Sequence, residues 1–126
     1  MKSSKFVALG AACAFMIMGD AAMAQGDAAA GEKAFARCRA CHLLDDSGRH
    51  RAGPNLAGIF GRTAGTVEGF PRYTENMKAA SHVWDDDTLN TWLSNPGEMI
   101  PGTTMKLMIG DDTMRANIIA FLKAGI

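Results

Sequence analysis

The sequence is short of most features that fix a fold on their own. Three cysteines among 126 residues, one of them in an N-terminal apolar stretch, are too few for a disulfide scaffold, which needs several pairs. That apolar stretch, Phe6 to Met18, counts thirteen residues, whereas a membrane-spanning helix needs about twenty. The 13 basic and 13 acidic residues balance, so no excess charge of one sign advertises a nucleic acid or an anionic membrane as partner. No segment alternates convincingly as a strand, and no internal repeat is visible.

What is present begins with a leader. Lys2 and Lys5 supply a positive start, Phe6 to Met18 the apolar run, and Ala22, Met23 and Ala24 the small residues a signal peptidase reads. Cleavage before Gln25 is expected, making residues 1–24 a signal peptide and residues 25–126 a single domain. An uncleaved anchor is disfavoured because Asp20 closes a short run. A lipoprotein signal through Cys13 would place Leu9 one residue too far away. Loss of Lys2, Lys5 and Asp20 leaves 11 basic and 12 acidic residues. The leader directs the domain out of the bacterial cytoplasm to the periplasm, where thiols meet oxidants.

Four helices are expected. Asp27 to His42 reads as the first, capped by Asp27 and alanine-rich, with Gly31 costing about 1 kcal/mol inside it. Thr74 to Ala80 forms a short second. Asp85 caps a third that carries Leu89, Trp92 and Leu93 on one face and stops at Pro96. The fourth begins near Asp111, shows Met114, Ile118, Phe121 and Leu122 at helical spacing, and ends at Gly125. Between the first two, Leu43 to Arg72 is glycine-rich and aperiodic, a length of loop that fits a small domain only if it wraps something. The fold class is all-α with long loops. Its thin core calls for an enclosed prosthetic group.

The stretch "RCRACH", Arg37 to His42, says which. Positions i and i+3 of a helix share a face, so Cys38 and Cys41 present both sulfurs to one object, with His42 beside them. Zinc needs four ligands, and His50 and His82 are single residues without finger-like spacing. A thioredoxin-like disulfide expects a βαβ setting and has no use for the histidine. Covalent haem attachment uses all three residues, as two thioethers and a proximal iron ligand. Such attachment occurs outside the bacterial cytoplasm, which the leader provides. The opposite ligand has candidates in Met77, Met99, Met105, Met108, Met114, His50 and His82. Spacing alone favours none of them strongly, though Met105 follows a Pro-Gly turn.

At "GEKAFARCRACH", "GPNLAGIFGR", "GF" before "YT", Trp84, "NPGEMIPGTTM" and "IIAFLKAG" the sequence resembles the class I c-type cytochromes over essentially the whole domain. The resemblance implies one haem c joined to Cys38 and Cys41, with His42 and Met105 as iron ligands. It further implies the Pro54 carbonyl on His42 Nδ1, Tyr73 and Trp84 on one buried propionate with Arg62 compensating its charge, and Thr103 on the other. Gly31 and Phe35 should meet Ile118 and Phe121 where the terminal helices cross.

Three departures are visible. "GFPRYT" holds one residue more than the family's usual spacing, Met77 stands where many relatives have asparagine, and Trp92 where many have tyrosine. The lysines that replace methionine on iron at alkaline pH in relatives are missing from Gly97 to Thr104, so the switch is expected at higher pH. The function implied is a periplasmic one-electron carrier, a monomer docking transiently with redox partner proteins and catalysing nothing itself, with no nucleic acid and no stable membrane insertion. The alternative is a haem-bearing subunit of a periplasmic dehydrogenase or oxidase complex. A basic rim of Arg37, Arg39 and Lys106 would face the partner.

Overall fold

The computed structural model describes residues 25–125; the expected leader lies outside them. Helix α1, Ala28–Ala34, starts where the Asp27 carboxylate accepts the backbone N–H of Ala29 and Ala30, satisfying donors that the first turn leaves free. The expected helix to His42 is shorter than its pattern. After Ala34 the chain tightens into a 3-10 turn, Phe35–Cys38. The N–H groups of Cys41 and His42 then both donate to the Cys38 carbonyl, at 3.1 and 2.9 Å. That shared acceptor closes the turn that follows the helix and draws Cys41 and His42 back toward Cys38.

Helix α2, Glu75–Ala79, is capped by Thr74 and buries Met77. Helix α3, Asp86–Ser94, opens on a reciprocal cap between Asp85 and Thr88 and buries Leu89, Trp92 and Leu93. Pro96 stops it as expected, and it also begins a one-turn helix that the sequence pattern did not announce. This is α4, Pro96–Met99, capped by Asn95. A proline at the first helical position has no N–H to leave unpaired. Helix α5, Asp112–Ala124, runs from an Asp111 cap to Gly125 and buries Ile118, Ile119 and Leu122.

Helices α1 and α5 cross in contact. A Cβ on Gly31 would fall 1.9 Å from the Asn117 carbonyl oxygen, so the glycine that weakens α1 is what lets α5 approach. Phe35 and Phe121 close the crossing with ring centroids 5.4 Å apart. Fully buried side chains such as Phe35 and Ile118 each stabilise the crossing by about 1.5–3 kcal/mol.

The long loop is tied to the start of α3 by an isolated Thr63–Val83 bridge. The Gly61 N–H donates to the Trp84 carbonyl at 2.7 Å, and the Trp84 N–H to the Arg62 carbonyl at 2.9 Å. This pairing is the only sheet-like contact among the described residues, and it fixes where the Trp84 ring stands.

Candidate functional site

The α1–α5 crossing, α3 and the long loop enclose a cavity of about 400 Å³. Buried residues that would close a small core, Phe35, Ile59, Trp84, Leu93 and Ile118, line this void instead of filling it. Protein interiors are close-packed, and an open volume of this size in a domain of about 100 residues carries a large penalty unless something fills it.

Cys38, Cys41 and His42 enter from one side. Both thiols are free, Cys38 buried and Cys41 exposed. Burial raises the Cys38 pKa, and the neighbouring Arg37 and Arg39 charges partly oppose the rise. Burial likewise lowers the His42 pKa, against a smaller opposing effect of its bond to Pro54. His42 is therefore neutral at pH 7 and holds one ring proton. The Pro54 carbonyl lies 2.7 Å from Nδ1, and a carbonyl only accepts, so Nδ1 carries that proton and Nε2 keeps a free lone pair. The sequence reading overlooked Gly53. A Cβ there would stand 2.3 Å from His42 Cε1, so only glycine lets the backbone lie against the imidazole. Its N–H donates to the Cys41 carbonyl at 2.7 Å, locking the two segments together.

Met105 and Leu107 line the cavity from the loop that precedes α5. The loop carrying them is held from a distance. Asn76 Nδ2 donates to the Pro101 carbonyl at 2.7 Å, and the Ile109 N–H donates to the Leu93 carbonyl at 2.8 Å. The side chain of Arg115, 7% exposed, donates to the Ile109 carbonyl at 2.6 Å and to Asn90 Oδ1 at 2.8 Å. Lys106 Nζ bonds the Thr103 carbonyl at 2.6 Å inside the loop. Asn76 and Arg115 escaped the sequence reading because neither belongs to a motif. A buried arginine on an apolar helix face was the one available signal.

Of the other predicted residues, Pro54, Tyr73, Trp84 and Thr103 line the cavity. Burial raises the Tyr73 pKa, and its hydroxyl accepts the Val67 N–H at 3.3 Å. Arg62 does not line the cavity; it faces a smaller polar hollow beside Asp45, Asp46, His50 and Glu68. His50 is occupied there, accepting the Asn55 N–H at 3.0 Å on Nδ1 and reaching the Glu68 carbonyl at 3.0 Å through Nε2. His82 packs edge-on behind Trp84 with centroids 4.5 Å apart. Among the methionine candidates only Met77 and Met105 reach the cavity, and Met108 is exposed.

The lining suits one kind of guest. It is mostly apolar, collects two thiols, two thioethers and an imidazole lone pair, and carries Arg37, Arg72 and Lys106 with no carboxylate. A flat apolar macrocycle with an iron centre and two acidic groups satisfies each of these. A closed zinc site is not built here: no group of three or more His, Cys, Asp or Glu suited to a metal occurs among the described residues.

Comparison with known proteins gives the same answer. The family model described as cytochrome c matches residues 28–125. Cytochrome c-554 of Methylosinus trichosporium is 37% identical over 123 residues, covering 97% of this chain and 92% of that protein. Cytochrome c of Chlamydomonas reinhardtii is 42% identical over 100 residues, covering 78% and 88%. Among solved structures, cytochrome cH from Methylobacterium extorquens superposes with a TM-score of 0.73 at 40% identity, covering 79% of this chain and 99% of that one. With a match of that extent laid over a cavity of that chemistry, the chain belongs to the class I c-type cytochromes, electron-transfer proteins whose haem is held covalently, here through Cys38 and Cys41.

Proposed function

We propose that the protein is a periplasmic one-electron carrier whose haem iron is held between His42 Nε2 and Met105. The observation that carries this reading is the placement of a neutral His42, its Nδ1 proton held by Pro54, in the same cavity as Met105. Bound haem supplies a one-electron ferric/ferrous couple. The chain's own residues do the rest. Cys38 and Cys41 anchor the group, Pro54 orients the imidazole and raises its basicity, and the apolar lining excludes water and disfavours the extra charge of the ferric state. Tyr73, Trp84 and Thr103 receive the propionates, and Arg62 adds positive charge from the adjacent hollow. The N-terminal sequence supports export of residues 25–126 after cleavage of residues 1–24.

A freely diffusing monomer is favoured over a subunit of a dehydrogenase or oxidase by the surface. Its only exposed large hydrophobic residues among those described are Val83 at 43% and Met108 at 60%, whereas a permanent interface hides a larger apolar patch. Arg37, Arg39 and Lys106 offer a basic rim for transient docking. No described helix is long and apolar enough to cross a membrane.

The test is spectroscopic. The native ferric protein should show the methionine–iron charge-transfer band, lose it in Met105→Ala, keep it in Met77→Leu, and bind carbon monoxide readily only in Met105→Ala. Loss of the band in Met77→Leu alone would move the ligand to α2. Co-elution with a large oxidoreductase on gel filtration of a native extract would make the chain a subunit.

A further inference from the structure

The extra residue in "GFPRYT" has a consequence at the cavity mouth. Arg72 sits in this lengthened segment, immediately before Tyr73, and lines the cavity, whereas Arg62 lies outside the lining in a hollow shared with Asp45, Asp46 and Glu68. The Arg72 guanidinium donates to the Arg51 carbonyl and lies over the Phe70 ring, 5.8 Å from its centroid. Phe70 in turn meets Tyr73 edge-on at 4.8 Å. Arg51 passes the connection on, donating to the Arg39 carbonyl at 2.7 Å, within the turn between Cys38 and Cys41. Two guanidinium groups thus strap the lengthened segment to the attachment turn.

The strap leaves Arg72 with charge to spare. A guanidinium has five donors, and the carbonyl of Arg51 takes one. The ion pairs among the described residues are Lys78–Glu75, Arg115–Asp112 and Lys123–Asp86, so Arg72 has no carboxylate partner of its own. The other cations on the lining are placed differently: Lys106 is bonded to Thr103 within the methionine loop, and Arg37 adjoins Cys38.

We propose that Arg72 is a positioning and charge-tuning residue of the haem site, a guanidinium strapped across the mouth so that it faces the propionate edge of the haem. This rests on the reading that Tyr73, Trp84 and Thr103 receive the propionates. A cation there keeps the propionate ionised and disfavours the added positive charge of ferric iron. Because Arg72 is exposed, salt screens the effect.

Spectroelectrochemical titration of the holoprotein at several pH values and two salt concentrations tests it. Arg72→Gln should shift the ferrous/ferric ratio at a fixed potential about threefold to tenfold toward ferric at low salt, tenfold being 59 mV for one electron. The shift should shrink in about 1 M salt, where the Debye length is about 3 Å, and the pH dependence of the potential should move upward with the propionate it exposes. Arg72→Lys, which keeps the charge and loses the fork, should recover most of the potential. Tyr73→Phe separates the two levels of the reading. If Tyr73→Phe moves the potential and Arg72→Gln does not, the role of Arg72 is overturned and the propionate placement stands. If neither moves it, both fall. If Arg72→Lys drops as far as Arg72→Gln, the strap and not the charge matters, which overturns the tuning role.

Discussion

On the His42 side of the cavity the chain is held by bonds within one continuous stretch, whereas on the Met105 side it is held by three separate helices. Cys38, Cys41, His42, Gly53 and Pro54 are joined by backbone bonds and one backbone-to-imidazole bond over a span of 17 residues. Pro101 to Gly110 depends on Asn76 from α2, Leu93 from α3 and Arg115 from α5. A ligand set by local backbone geometry is formed as soon as its segment folds. A ligand set by borrowed contacts is only as well placed as the whole domain. On the proposed ligation, the methionine side is expected to open first.

The strongest way to break this contrast is to remove its one buried side-chain anchor. Arg115→Leu leaves the Ile109 carbonyl and Asn90 without their buried donor, at a cost of about 2–4 kcal/mol. It should also lower the alkaline midpoint for loss of the methionine–iron band. In the parent that midpoint is expected above the relatives', since Gly97 to Thr104 holds no lysine. A variant that loses stability and keeps the parent midpoint would detach Arg115 from the loop. Gly53→Ala attacks the opposite side, forcing a methyl into the His42 ring for about 1–3 kcal/mol. Resonances of the histidine ligand should move in paramagnetic NMR while those of the methionine ligand stay. Equal movement of both would show the two sides to be one unit.

Asn76→Ala removes a single bond to Pro101, worth about 0.5–1.5 kcal/mol. Hydrogen exchange should accelerate in residues 101–110 and not in 38–56. The smallest effect comes from acid. Burial holds the His42 pKa below its ordinary 6.5, so the unfolded chain binds that proton more tightly. The stability it contributes is complete above about pH 6.5 and is lost as pH falls through the depressed folded value. In the holoprotein, release of the histidine by acid while the methionine–iron band persists would overturn the order in which the two sides are expected to open.

Much of this was legible in advance because its causes are local. The caps at Asp27, Asp85 and Asp111 and the stop at Pro96 follow from side-chain chemistry and helical spacing, the α1–α5 contact through Gly31 follows from the family resemblance, and the structure has them. The first helix is shorter than its pattern because the chain tightens into a 3-10 turn at Phe35–Cys38, a tightening that periodicity does not encode. Helix α4 was missed because four residues are too few to show a period. The resemblance implies Arg62 as a cation compensating a propionate; the fold places it in the neighbouring hollow and brings Arg72 to the lining. That outcome depends on how a loop with one extra residue closes over Phe70.

By itself the sequence determined the kind of cofactor and its attachment, because C-x-x-C-H is chemistry written in consecutive residues, and it determined the helices, because their signals lie within a few turns. The tertiary structure alone decided that Gly53 lies against the imidazole, that Arg115 and Asn76 hold the loop of Met105, and that Arg72 stands at the mouth. Each of these joins segments that no local pattern pairs, and such meetings are fixed by packing around a shared cavity, not by any property of the segments taken singly.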